Sequence, residues 1–142
     1  MPNRKERLPV LVLIGIYYLM TYYIFQYWNA AMLNLFHPYL SFLFSGVVLL
    51  LFLIIITFFW KISIHAASIS GLCGGMMAES LIAQAVSGQQ EVIFINIILL
   101  ILIGIVCFSR IYLKAHTLYQ TIAGMILGFS LVFSLVFFKI YI

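Results

Sequence analysis

Apolar residues fill this chain in five blocks, each about 20 residues long, parted by short polar interruptions. The blocks run roughly from Leu8 to Trp28, Tyr39 to Trp60, Ser63 to Ala85, Val92 to Phe108 and Thr117 to Phe138. About 20 helical residues, at ~1.5 Å each, cover a hydrocarbon core of ~30 Å. The pattern predicts an all-α polytopic transmembrane helix bundle of about five spans. The first block is too long for a signal-peptide core and lacks a small-residue cleavage site, so it reads as a retained span.

The interruptions carry their own information. Tyr22, Tyr23, Phe25, Tyr27 and Trp28 close the first block with an aromatic cluster suited to the headgroup layer. Asn29, Asn34, His37 and Pro38 then mark a loop, and "SGQQE" at 87–91 marks the next turn on that face. No internal repeat, low-complexity tract or second domain is visible, so residues 1–142 read as one integral-membrane domain.

Composition sharpens the class. The chain is 66% hydrophobic and 7% charged, with a mean hydropathy of +1.24, far outside the range of water-soluble domains. The net charge is +4, yet seven basic residues are too few and too scattered for nucleic acid. Cys73 and Cys107 lie inside apolar blocks and read as packing residues, not as a disulfide or a zinc site. Ala66, Ala67, Ser70, Gly71, Gly74, Gly75 and Ala78 make span three a close-packing helix. Gly124 and Gly128 form a GxxxG in span five, read as an intramolecular packing surface. Glu79 falls ~27 Å along a helix from Lys61, near the far interface.

Charge acquires meaning through sidedness. Arg4, Lys5 and Arg7 precede span one, Lys61 and His65 follow span two, and Arg110, Lys114 and His116 follow span four. An even number of spans separates each group from the next, so all three meet at one membrane face. Of the seven basic residues only Lys139 lies opposite. Charge bias alone would make that face cytoplasmic. Cations held for an anion do not report topology, however. Without Lys5, Arg7, Lys61 and Arg110 the bias reduces to Arg4 and Lys114 against Lys139.

Three stretches therefore converge: "RKERLP" at 4–9, "KISIHA" at 61–66 and "SRIYLKAHTLYQ" at 109–120. They bring fixed cations, two imidazoles, a serine and the N-termini of spans three and five. A helix N-terminus offers unsatisfied N–H groups and a positive dipole end. Arginine adds a planar fork for two phosphate oxygens, and lysine a point charge. Two histidines extend the chemistry beyond binding, because one can attack phosphorus while the other protonates the leaving oxygen. His116 and Gln120, four apart, share a helical face, so the Gln carbonyl can accept Nδ1–H and leave the Nε2 lone pair for substrate.

The third stretch resembles the type 2 phosphatidic acid phosphatase family, relatives of the vanadium haloperoxidases. That family's third motif reads Ser-Arg, five residues, His, three residues, Asp. Ser109, Arg110 and His116 match in place, and Gln120 stands at the Asp position. The second motif, Pro-Ser-Gly-His, is similar to Ile62-Ser63-Ile64-His65. The first, Lys, six residues, Arg-Pro, is similar to Arg7-Leu8-Pro9 with Lys5 nearby. The resemblance implies a metal-independent phosphohistidine mechanism without a cofactor, with His116 as nucleophile and His65 as general acid. Arg110, Arg7, Lys5 and Ser63 would hold the phosphate, and Lys61 is read as an additional contact. Phosphatidic acid, phosphatidylglycerol phosphate, undecaprenyl diphosphate and phosphorylated lipid A are the substrates it implies. It also implies a bacterial cytoplasmic membrane with the site on the extracytoplasmic side.

Departures from the motifs set further expectations. Gln120 lacks the negative charge that stabilises an imidazolium, and Ile64 replaces a glycine that allows close backbone approach. The first-motif lysine would fall before residue 1, which reads as a short or N-terminally truncated member. Two alternatives stay open: a degenerate relative that binds anionic head groups without turnover, and a structural or transport subunit whose cations serve topology.

Overall fold

The computed structural model describes the backbone of residues 4–31, 37–87 and 92–140, and the side chains of 9–28, 39–83 and 94–140. Five helices follow in order: α1 (Arg4–Ala31), α2 (His37–Phe59), α3 (Ile64–Ser87), α4 (Val92–Tyr112) and α5 (Leu118–Phe137). Each contains a stretch of 19 to 21 residues long and apolar enough to cross a membrane. Among the described residues the chain is thus all-helical, with five membrane-spanning helices.

Two boundaries differ from the hydrophobic pattern. Helix α1 already begins at Arg4, and α4 continues one turn past Phe108 to Tyr112. Hydropathy marks where lipid contact ends, whereas a helix ends where its last carbonyls find other partners. In α4 the Ser109 hydroxyl donates back to the Ile105 carbonyl, and Arg110 sits favourably at the negative end of the helix dipole. Asn29 and His37, expected in a loop, belong to the ends of α1 and α2, while Asn34 and residues 88–91 lie outside the described residues.

The ends of α4 and α5 share one geometry. Lys114 donates its N–H to Ile111 and Ala115 to Arg110; Lys139 donates to Val136 and Ile140 to Leu135. These paired bonds, three and five residues back, are the Schellman closure, which needs a left-handed residue after the last turn. Lys114 and Lys139 fill that position with φ of 50° each, a conformation more comfortable for glycine.

Packing centres on α3 and α5, which run parallel and touch along their lengths. In lipid, helices gain no hydrophobic energy by meeting, so association depends on close contact and interhelical hydrogen bonds. The small residues supply that closeness. A Cβ added at Gly124 would lie 2.6 Å from the Ser63 carbonyl oxygen, and one at Gly74 would lie 2.6 Å from the Phe129 carbonyl oxygen. Ala67 and Ser70 are fully buried on the α3 side of this seam, and Ser70 returns its hydroxyl to the Ala66 carbonyl. The Gly124–Gly128 motif is thus an internal seam. Helix α4 packs on α3, α2 packs on α5 and α1, and α1 packs on α2 alone among the described residues.

Candidate phosphate site at the paired helix N-termini

Because α3 and α5 are parallel neighbours, their N-termini lie side by side at the end of the bundle where α2 and α4 finish. The link between α2 and α3 is four residues, Trp60 to Ser63, closed by a bond from the Ile62 N–H to the Trp60 carbonyl. Ser63 caps α3: its hydroxyl faces the Ala66 N–H at 3.5 Å. It is fully buried, and its own N–H donates to the Gln120 carbonyl of α5 at 3.2 Å. Ser63 therefore stitches the second stretch to the third and presents no surface to solvent.

The third stretch owes its spacing to the closure of α4. The Arg110 carbonyl accepts the N–H groups of both Ala115 (3.1 Å) and His116 (3.3 Å), so the chain curls back over the helix end. The curl brings His116 back over the end of α4 that carries Arg110. Thr117 then caps α5 and forms a reciprocal capping box with Gln120. The Gln120 N–H reaches the Thr117 hydroxyl, and the Thr117 N–H reaches Gln120 Oε1 at 3.2 Å.

This box fixes the chemistry of His116. A backbone N–H can only donate, so the Gln120 atom facing Thr117 is the amide oxygen. The same Oε1 lies 3.3 Å from His116 Nδ1. The two do not share a helical face as expected, since His116 precedes the cap of α5. The contact arises because the capping box folds the Gln120 side chain back. Facing an acceptor, Nδ1 carries a hydrogen, so that in the neutral form of His116 the lone pair would fall on Nε2. Sequence reading found Gln120 and His116 but passed over Thr117, although Thr-x-x-Gln before an apolar run is a legible capping-box signal.

The other candidates are placed as follows. Arg110 is half-buried in the last turn of α4, and Lys61 is half-buried in the α2–α3 link. The side chains of Lys5 and Arg7 lie outside the described residues, although both positions belong to the first turns of α1. His65 is exposed and points elsewhere than Ser63: two residues further on, at ~100° per residue, it is turned about 200° from the α5 seam. It lines a cavity of about 660 Å³ bounded by α1, α2, α3, Val106 of α4 and Val132 of α5. The structure thus brings Ser63, Gln120 and His116 together, and sets His65 across the α3 N-terminus from them.

Comparison with family models, with curated proteins and with solved structures finds no match.

Proposed function

We propose that the chain is a membrane phosphatase that hydrolyses a phosphate monoester or diphosphate of a lipid through a covalent histidine intermediate. The observation that carries this reading is His116 in Ser-Arg-x5-His, with Nδ1 held by Gln120 Oε1 at the paired N-termini of α3 and α5. Arg110 and Lys61, with Arg7 and Lys5 of the first stretch, supply positive charge for the phosphate oxygens. Ser63 serves the site by holding α3 against α5.

In the first step His116 Nε2 attacks phosphorus as the bond from phosphorus to the leaving oxygen breaks. The leaving oxygen takes a proton from the His65 imidazolium. In the second step neutral His65 removes a proton from water, whose oxygen attacks the phosphohistidine. The P–N bond breaks, and His116 regains its lone pair as inorganic phosphate departs. In-line displacement puts nucleophile and leaving group on opposite sides of phosphorus. A phosphoryl group above the α3 N-terminus would have His116 on one side and His65 on the other. The motif resemblance supports a site on the extracytoplasmic side of a bacterial cytoplasmic membrane, and cysteine labelling near Ala115 from each side tests that orientation.

Phosphate release from detergent-dispersed lipid phosphates is the direct test. His116→Ala should lower turnover by ~10³-fold or more, and Arg110→Ala by about 10²-fold. A radiolabelled substrate quenched in alkali should leave an acid-labile label on the wild-type chain and none on His116→Ala. Unchanged turnover in both variants would overturn the assignment. Head-group binding without turnover in any form would establish the degenerate alternative in its place.

A further inference from the structure

The cavity beside His65 follows from how α1 is held. Among the described residues helix α1 leans on α2 alone, and a gap is left between α1 and α3. The gap runs along the helices. On α1 its wall descends from Leu11 to Tyr18, about 10 Å at ~1.5 Å per residue, and on α3 from His65 to Leu72, a similar distance. Its walls are almost wholly apolar. Ser45 turns its hydroxyl back to the Phe42 carbonyl, which leaves His65 and Ser68 as the polar groups at the upper end. Tyr18 stands at the lower end, its ring so close over Gly46 that an added Cβ would lie 2.8 Å from Cε1.

Polarity and charge along this shaft are graded in one direction. The imidazole end lies at the bundle face that carries Lys61 and Arg110, and the Tyr18 end lies in the hydrocarbon layer. A ligand that matches the gradient has an anionic head at the cationic face and a single aliphatic tail below it. We propose that this cavity receives the hydrocarbon chain of the leaving lipid alcohol, with Tyr18 closing its lower end and setting the chain length that fits. The proposal rests on the phosphatase reading, and it explains why His65 faces the cavity: the oxygen that needs a proton is the one attached to the chain. It narrows the substrate class to phosphates of lipid alcohols with a hydrocarbon chain that fits between α1 and α3.

A dodecyl phosphate bearing a diazirine at the chain terminus tests the cavity on the full-length protein in lipid nanodiscs. Photolysis and peptide mass spectrometry should place the label on Tyr18 and on the Phe42–Gly46 segment. Dodecanol with the same diazirine should label these positions several-fold less. Ser68→Trp, a substitution at an exposed wall position, should abolish the cavity label while leaving the fold intact by circular dichroism. Tyr18→Ala should let a hexadecyl probe label below position 42 in place of the lipid-facing surface. Equal labelling by alcohol and phosphate, or label mainly on exposed α4 residues such as Ile97 and Ile101, would overturn the proposal. Cavity labelling by the phosphate together with turnover indifferent to His116→Ala would overturn the phosphatase reading and leave the chain site standing.

Discussion

The backbone N–H of Ser63 donates to the carbonyl oxygen of Gln120 at 3.2 Å, joining the entrance of α3 to the first turn of α5. The same Gln120 holds His116 through its side chain, so one residue connects the serine stretch to His116. Whatever moves the α3–α5 seam moves the candidate site with it.

Gly124 is the residue on which that seam closes beside the site. Gly124→Ala places a methyl group 2.6 Å from the Ser63 carbonyl oxygen, a backbone atom that cannot rotate away. The expected cost is about 1–3 kcal/mol of stability with loss of the Ser63–Gln120 bond. Unfolding in mixed micelles measures the first. The second should appear as a fall in phosphate release larger than the unfolded fraction explains. Gly104, which has nothing within 4 Å of an added Cβ, is the control. Gly104→Ala should leave phosphate release unchanged and should not destabilise the chain, since alanine is favoured over glycine inside a helix.

Gln120→Glu separates charge from geometry. Glutamate is the same length as glutamine and is equally at home in a capping box, so the contacts to Thr117 and His116 survive. The added negative charge stabilises the His116 imidazolium. Since attack needs the neutral ring, the acid limb of the pH–rate profile should move to higher pH, and the plateau rate should rise with the basicity of Nε2. Gln120→Asp should act in the same direction. A profile that stays in place would show that residue 120 does not tune the imidazole.

Thr117→Val removes the hydroxyl that accepts the Gln120 N–H and leaves the fold of α5 otherwise intact. About 1 kcal/mol of helix stability should be lost. Loss of one side of the capping box should also loosen Gln120 and lower kcat more than KM is changed, with Thr117→Ser restoring both. A stability change with kcat preserved would confine Thr117 to a structural role.

Lys114 and Lys139 pay for their left-handed conformation with about 1 kcal/mol or more each, relative to glycine. Lys139→Gly, far from the site, should therefore stabilise the chain in thermal or denaturant unfolding with phosphate release unchanged. Lys114→Gly should stabilise comparably, and any change in activity beyond that reports the charge beside Arg110 and His116.

On the opposite side of the bundle Asn96 donates its amide to the Ser80 hydroxyl at 3.0 Å, while its Oδ1 is buried without a hydrogen-bond partner. Ser80→Ala should cost about 1 kcal/mol by leaving the amide unpaired as well. The double variant with Asn96→Leu should recover most of that loss, since removing both partners leaves no polar group stranded in the lipid. A double-mutant cycle in a folding assay reads the recovery.

Much of the protein was written in its sequence. Five apolar blocks, each long enough for the bilayer, determined five spans, because a backbone in lipid must satisfy its own hydrogen bonds. An even count of spans between charged groups determined that three distant stretches end at one face. The His116–Gln120 contact was expected from a shared helical face, but His116 precedes the Thr117 cap of α5, and the two meet because the capping box turns the Gln120 side chain back. Tertiary structure decided the rest: that α3 and α5 are the parallel pair, that Ser63 is consumed in joining them, and that α1 stands off α3 and opens a cavity. It also decided that His65 faces that cavity and not the seam. These facts depend on which helices touch and at what rotation. In a membrane, hydrophobicity does not choose partners, because lipid is as apolar as any helix; close fit at a few glycines does, and fit exists only once both surfaces are in place.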